Sequence, residues 1–163
     1  MIYHRGINRR EITFMIKKID LQNSSLAAEL LALQKASYLI EAKLINFYEI
    51  PPLLETIDEL RECEESFLGY FEGTELAGAV SFTIDGEAVT ICRMVVHLEH
   101  FRKGIAQRLL AEVENINSDS SVFKVSTGKE NSPAKNLYVK NGYKLINDLE
   151  VVPGLYISIF EKR

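Results

Sequence analysis

The order of apolar and polar positions predicts a strand, two helices, three strands, a helix, a strand, a helix and two strands. Residues Ile12 to Ile19 cluster β-branched and aromatic side chains and read as the first strand. A polar run at Asn23, Ser24 and Ser25 can cap a helix whose apolar stripe is Leu26, Leu30, Leu33, Ser37 and Ile40. A second helix follows Pro51 and Pro52 and uses Leu53, Leu54, Ile57 and Leu60. Strands are predicted over Ser66 to Phe71, Leu76 to Ile84 and Glu87 to His97, and Asp85 and Gly86 give the strongest short hairpin signal in the chain. Ile105, Leu109, Leu110, Val113 and Ile116 have helical spacing. Asn117 to Ser121 is a polar break before a strand over Ser121 to Thr127. A short helix, a strand near Tyr143 to Ile146, a turn at Pro153 and Gly154, and a strand over Leu155 to Glu161 close the chain.

The stretch Ile91 to Leu110 organises the rest. A buried strand carrying Ile91, Met94, Val95 and Val96 runs into the turn Phe101, Arg102, Lys103, Gly104, Ile105, Ala106, and then into a helix. Unpaired amides and the positive dipole end at a helix start favour an anion, and residues with little or no side chain let a phosphate approach. Downstream, NSPAKNLYVKNGY from Asn131 to Tyr143 reads as a short helix. Ser132 can cap it, Pro133 suits its first position, and Gly142 can end it in the left-handed conformation. Asn131 and Tyr138 stand close to two helical turns apart, so both can face one groove.

These two segments resemble motifs A and B of the GNAT superfamily of acetyl-coenzyme A dependent N-acetyltransferases. Gly104 and Ala106 match the last fixed positions of Q/R-x-x-G-x-G/A, whereas Phe101 stands at its Gln or Arg position with Arg102 one place later. Asn131, Ala134, Leu137, Tyr138, Gly142 and Tyr143 match N-x-x-A-x-x-L-Y-x-x-x-G-F/Y. The resemblance implies the GNAT fold: an α/β (α+β) domain with a mixed, mainly antiparallel sheet, helices on both faces, and a splay between its fourth and fifth strands, Glu87 to His97 and Ser121 to Thr127. It also implies acetyl-coenzyme A as co-substrate. Met94, Val95 and Val96 would pair with the pantetheine arm, Arg102, Lys103, Gly104, Ile105, Ala106 and Gln107 would cradle the pyrophosphate, and Asn131 would hydrogen-bond the arm. Tyr138 would be the catalytic acid. Its reference pKa of about 10 lies near those of thiols and alkylamines, which eases proton transfer in either direction.

Composition narrows the setting. The chain has 163 residues and 47% hydrophobic content, enough for one core, with the acetyltransferase domain expected over 12–163 and residues 1–11 as a basic extension with the character of a disordered arm. Cys63 and Cys92 give no disulfide framework, and no leader or membrane-length apolar run is evident, so a cytoplasmic protein without membrane attachment is expected. Net charge is −4, and nine acidic residues between Glu49 and Glu75 face only Arg61. That excess argues against a nucleic-acid surface and suits either a solvated face or the attraction of an amine. Three histidines and two cysteines show no ligand spacing, so no metal is expected.

The resemblance implies an amine acceptor, expected to be a small molecule, and a homodimer is an admissible assembly. Transfer to a protein or peptide amine is the nearest alternative, and a non-catalytic acyl-coenzyme A binding module is the rival. The rival is motivated by Thr90 and Ser126, which occupy positions where many relatives carry a glutamate. Asp85, Glu87 and His97 remain as candidate bases, and Arg93 faces either the surface or the acceptor cleft. Cys92 is a poor nucleophile candidate, since a mid-strand thiol has no group to orient a base beside it.

Overall fold

The computed structural model describes residues 2–7, 13–101 and 103–163. It contains one eight-stranded sheet: β1 (Ile2–Ile7), β2 (Thr13–Lys18), β3 (Ser66–Glu72), β4 (Glu75–Asp85), β5 (Ala88–Val96), β6 (Val122–Gly128), β7 (Lys144–Val152) and β8 (Leu155–Lys162). Five helices join them: α1 (Ser24–Ile45), α2 (Pro51–Leu54), α3 (Ile57–Glu62), α4 (Ile105–Ile116) and α5 (Ser132–Lys140). Spatial strand order is β1-β2-β3-β4-β5-β6-β8-β7, and only the β5–β6 pair is parallel. The fold is the mixed, mainly antiparallel GNAT sheet that the motifs imply.

Helices cover both faces because the sheet is apolar on both. On one side α4 and α5 bury Ile105, Leu109, Leu110, Val113 and Tyr138 against Tyr70, Val80, Ile91 and Phe160. On the other, α1 and α3 bury Ala27, Leu30, Leu33 and Leu60 against Phe67, Phe71, Ala79 and Val95. Each fully buried Leu, Ile, Val or Phe side chain contributes about 1.5–3 kcal/mol from area removed from water. These two cores fix the sheet between its helical layers, and with it the ends of β5 and β6.

Four elements differ from the sequence reading. Ile2–Ile7, within the stretch expected to be an arm, forms an edge strand antiparallel to β2, with Gly6 opposite Phe14. The boundary expected at residue 12 lies outside the described residues. The predicted second helix is two helices, because Thr56 starts a new one: its hydroxyl accepts from the Glu59 N–H while the Glu59 carboxylate accepts from the Thr56 N–H. β7 runs six residues beyond Ile146 to Val152, paired with β8 as the far edge of the sheet. Finally, α5 is capped by Asn131, whose side-chain oxygen accepts from the Ala134 N–H at 3.3 Å, so Ser132 is the first helical residue and not the cap.

Among the described residues no helix is long and apolar enough to cross a membrane.

Candidate active site

The site is made where two parallel strands part. β5 and β6 are paired from Ala88 opposite Val122 to Ile91 opposite Val125, and no farther. Beyond that point β5 continues to Val96, and β6 continues to Gly128 paired only with β8. A cleft of about 960 Å³ opens there, floored by the two strand ends and walled by α1, α4, α5 and the β7–β8 hairpin.

At one end lies the turn into α4. Gly104 is its N-cap, with φ of 75°, a left-handed conformation that costs a residue with Cβ about 1–2 kcal/mol. A Cβ built on Gly104 would meet no atom within 4 Å, so the space beside this backbone is open. Gly104, Ile105, Ala106 and Gln107 all line the cleft at the start of a twelve-residue helix, an arrangement suited to a phosphate. Lys103 departs from expectation: its ammonium turns toward β3, 3.3 Å from Glu72 Oε2 and 2.9 Å from His100 Nδ1, and does not line the cleft. Arg102 lies outside the described residues.

Along β5 the expected residues divide by face. Met94 and Val96 line the cleft, whereas the Val95 side chain is buried in the core beneath α1. Tyr38 on α1 also lines the cleft. Burial, and then the nearby charge of Glu41, raise the Tyr38 hydroxyl well above the usual phenol range, so Tyr38 stays protonated.

Across the splay stand Tyr138, Asn131, Thr127 and Glu41. Tyr138 on α5 is 3% exposed, its ring 5.8 Å from that of Tyr143 and 6.0 Å from that of Phe160. Burial is the larger cause and Glu41 the second that hold its hydroxyl above the usual phenol range. It therefore keeps its proton across neutral pH, and the near match to a thiol expected from the reference pKa is displaced upward. Asn131 Nδ2 donates to Thr127 Oγ1 at 3.3 Å, and Thr127 Oγ1 donates to Glu41 Oε1 at 3.3 Å. The side chain of Asn131 is thus shared between capping α5 and orienting a threonine that holds a carboxylate.

Glu41 and Tyr38 are the residues that sequence reasoning missed. They stand about one helical turn apart on α1, each one residue beyond a member of the apolar stripe, Ser37 and Ile40, and that spacing was the only signal available. The bases considered from sequence lie elsewhere. Asp85 sits in the β4–β5 hairpin, Glu87 accepts a hydrogen bond from Ser121 Oγ at 2.9 Å beside it, and neither lines the cleft. His97 is also outside it, and its Nδ1 accepts from the Glu99 N–H at 3.1 Å. Cys92 lines the cleft, and desolvation of its thiol together with the charge of Glu65 raises it and disfavours a thiolate.

Arg93 is buried beneath α1. Its guanidinium binds Glu55 Oε2 at 3.1 Å, both oxygens of Glu65 at 2.9 Å and Gln34 Oε1 at 2.8 Å. Ser81 Oγ donates to Glu65 at 2.6 Å, and Gln34 Nε2 donates to the Pro52 carbonyl at 2.8 Å. One cation on β5 thereby ties α1, the α2–α3 link, β3 and β4 together and fixes the wall that carries Tyr38 and Glu41. The acidic stretch consequently works partly inside the protein: Glu55 and Glu65 hold Arg93, and Glu72 holds Lys103 and His100.

Ligand atoms of Glu75, His97 and His100 lie within 4.8 Å of one another, a grouping that linear spacing does not reveal because Glu75 comes from β4. His100 is bracketed by Glu75 at 3.2 Å on Nε2 and Glu72 at 3.1 Å on Nδ1, which tethers the end of β5 to the β3–β4 hairpin just ahead of the Gly104 turn.

A model of the Acetyltransferase (GNAT) family matches residues 27–143. The UPF0157 protein YqkA of Bacillus subtilis (strain 168) is 35% identical over 146 residues, 90% of this chain and 43% of YqkA, so the chain spans less than half the length of that curated relative. Among solved structures, the PaiA N-acetyltransferase of Thermoplasma acidophilum in complex with coenzyme A aligns with a TM-score of 0.76 at 20% identity, over 92% of this chain and 98% of its own. PH1933 of Pyrococcus horikoshii OT3 aligns with a TM-score of 0.75 at 19% identity, over the same shares. At those identities the likeness speaks to fold.

Proposed function

The chain belongs to the GNAT acetyltransferase family, and from that premise we propose that it is an N-acetyltransferase moving the acetyl group of acetyl-coenzyme A to a primary amine of a small molecule by direct attack. The observation that carries this reading is the placement of a protonated phenol, Tyr138, and a carboxylate, Glu41, on facing walls of the splay, beyond the last paired residues of β5. The coenzyme A complex of the structurally similar PaiA enzyme supports the choice of co-substrate.

Gly104 to Gln107 would take the pyrophosphate on their amides, and Met94 to Val96 would run beside the pantetheine arm as an added strand. Asn131 would act on that arm through the side chain it also uses to cap α5. The neutral amine nitrogen bonds to the thioester carbonyl carbon, and the oxygen gains negative charge that the amides near Val95 and Val96 can stabilise. The C–S bond then breaks, the departing thiolate takes the Tyr138 proton, and the proton lost by nitrogen leaves toward Glu41. The proton on Glu41 then returns to the Tyr138 phenolate, so a neutral amine and a thioester give an amide and a thiol; starting from an ammonium, the one released proton is that lost to solvent when the amine is first neutralised. Glu41 removes the main motive for a non-catalytic reading, which was the want of a carboxylate at the site.

The test is release of free coenzyme A thiol from acetyl-coenzyme A in the presence of a broad panel of small primary amines. Thiol release that requires both substrates, with the acetylated amine found by mass spectrometry, is expected. Tight binding of acetyl-coenzyme A with no release across the panel would overturn the enzymatic reading and leave a binding module.

A further inference from the structure

Resting on the acetyltransferase reading, we propose that the acceptor subsite takes a monoamine whose single ammonium group is carried on an apolar body, with Glu41 as the anchor for that ammonium. The two walls that face the splay away from the Gly104 turn are α1 with its following link, and the β7–β8 hairpin. Their lining is apolar: Ile40, Leu44, Ile45 and Phe47 on the first, Leu155 and Ile157 on the second. The charges those walls contribute are both negative, Glu41 and Glu49. The basic groups of the cleft lie on other walls. Arg93 is neutralised by Glu55 and Glu65, His100 belongs to the turn before α4, and Lys140 ends α5. An anionic or zwitterionic acceptor would thus find no cation on these walls, and a second ammonium would have only Glu49, exposed on the link, as a counter-charge and otherwise hydrocarbon.

Glu41 is held for this task. Thr127 Oγ1 fixes one of its oxygens at 3.3 Å and is itself fixed by Asn131, so the carboxylate is tied to the end of β6 while its remaining acceptor capacity faces the cleft. Glu49, by contrast, is exposed on the link after α1, where water already solvates it. The close packing of Ile45 on Gly128, where an added Cβ would meet Ile45 Cγ2 at 2.6 Å, keeps the end of α1 seated over β6 and so keeps Glu41 near the strand end. An ammonium at Glu41 would also cancel the second of the two causes that raise Tyr138, making that phenol a better acid when the acceptor is in place.

The experiment measures kcat/KM for acetyl-coenzyme A dependent thiol release with unbranched alkyl monoamines of increasing length, a phenylalkyl monoamine, a linear diamine and a triamine of matching length, and a short peptide with a free N-terminus. The expected result is a rise of about fourfold per added buried methylene, with the diamine and triamine at least about tenfold below the monoamine of equal length. Glu41→Gln, which retains an acceptor for Thr127, should raise the amine KM about tenfold or more and flatten the preference for amines over hydroxylamine, while acetyl-coenzyme A affinity stays the same. Thiol release with a flat chain-length series, or with the diamine, triamine or peptide preferred, would overturn this inference and leave the transferase standing. Thiol release with no acceptor of any kind would overturn the transferase reading and this inference with it.

Discussion

Tyr138→Phe is expected to lower turnover by about 10²–10⁴-fold, the range that one positioned proton donor contributes, and to leave acetyl-coenzyme A affinity nearly unchanged. The substitution is close to isosteric. Tyr138 is 3% exposed and packs by its ring against Tyr143 and Phe160, contacts that phenylalanine retains. What is lost is the hydroxyl proton, held firmly by burial and by Glu41 and therefore present throughout the neutral range. Steady-state kinetics with a fixed amine, together with a binding titration, separates the two effects. Equal turnover in parent and variant would remove Tyr138 as the acid.

Arg93→Ala destabilises the protein by about 3–5 kcal/mol, because it leaves the carboxylates of Glu55 and Glu65 inside without their cation. For a domain of this size, that is a fall of roughly 6–20 °C in the thermal midpoint. The side chains concerned are only 9–18% exposed, so solvent screens the network weakly. Adding Glu55→Gln and Glu65→Gln to Arg93→Ala should recover part of the loss, since the remaining groups are then neutral. Acid should act in the same direction. Burial raises Glu65, but the hydrogen bonds of Arg93 and Ser81 outweigh it and hold its carboxyl below the ordinary glutamate value. A depressed carboxyl gives stability that is full above its unfolded-state pKa, about 4.3, and is lost as pH falls through the lower folded value. The difference in midpoint between parent and Arg93→Ala should thus be widest near neutrality and shrink below about pH 4. A constant difference from pH 7 to pH 3, or a midpoint unchanged by the substitution, would mean that the network does not hold the wall.

What could be read from sequence followed from local physics. The turn at Gly104 and the ending of α5 at Gly142, where φ is 92°, need left-handed backbone, and glycine announces such positions. β3 and β4 bury continuous runs and β5 buries alternate residues, and both patterns leave an apolar signature. β7 lacks such a pattern: its apolar residues Leu145, Ile146, Leu149, Val151 and Val152 do not alternate, and eight of its nine residues are exposed on an edge of the sheet. β1 was hidden by Arg5 and His4, which gave the head a basic character that outweighed Ile2 and Ile7.

The site was legible on one side. Motif residues on β5, α4 and α5 come in a fixed linear order because the cofactor half is built from consecutive elements. The acceptor half is not built that way. Glu41 meets Tyr138 and Thr127 across residues far apart in the chain, and Arg93 gathers Gln34, Glu55 and Glu65 from three separate segments, so neither linkage has a spacing to recognise. Lys103 shows the converse limit, since a lysine in a phosphate turn suggests an anion contact until Glu72 and His100 are seen to hold it.

Titration calorimetry with acetyl-coenzyme A, run on the parent protein and on Gly104→Val, tests the central claim most directly. Valine at φ 75° is strained, and its branched side chain would fill the open space beside the turn that we propose for the pyrophosphate. With thermal unfolding confirming that both proteins are folded, the account predicts binding in the micromolar range by the parent and none by the variant. A folded parent that does not bind acetyl-coenzyme A, or a folded variant that binds as tightly as the parent, would contradict it.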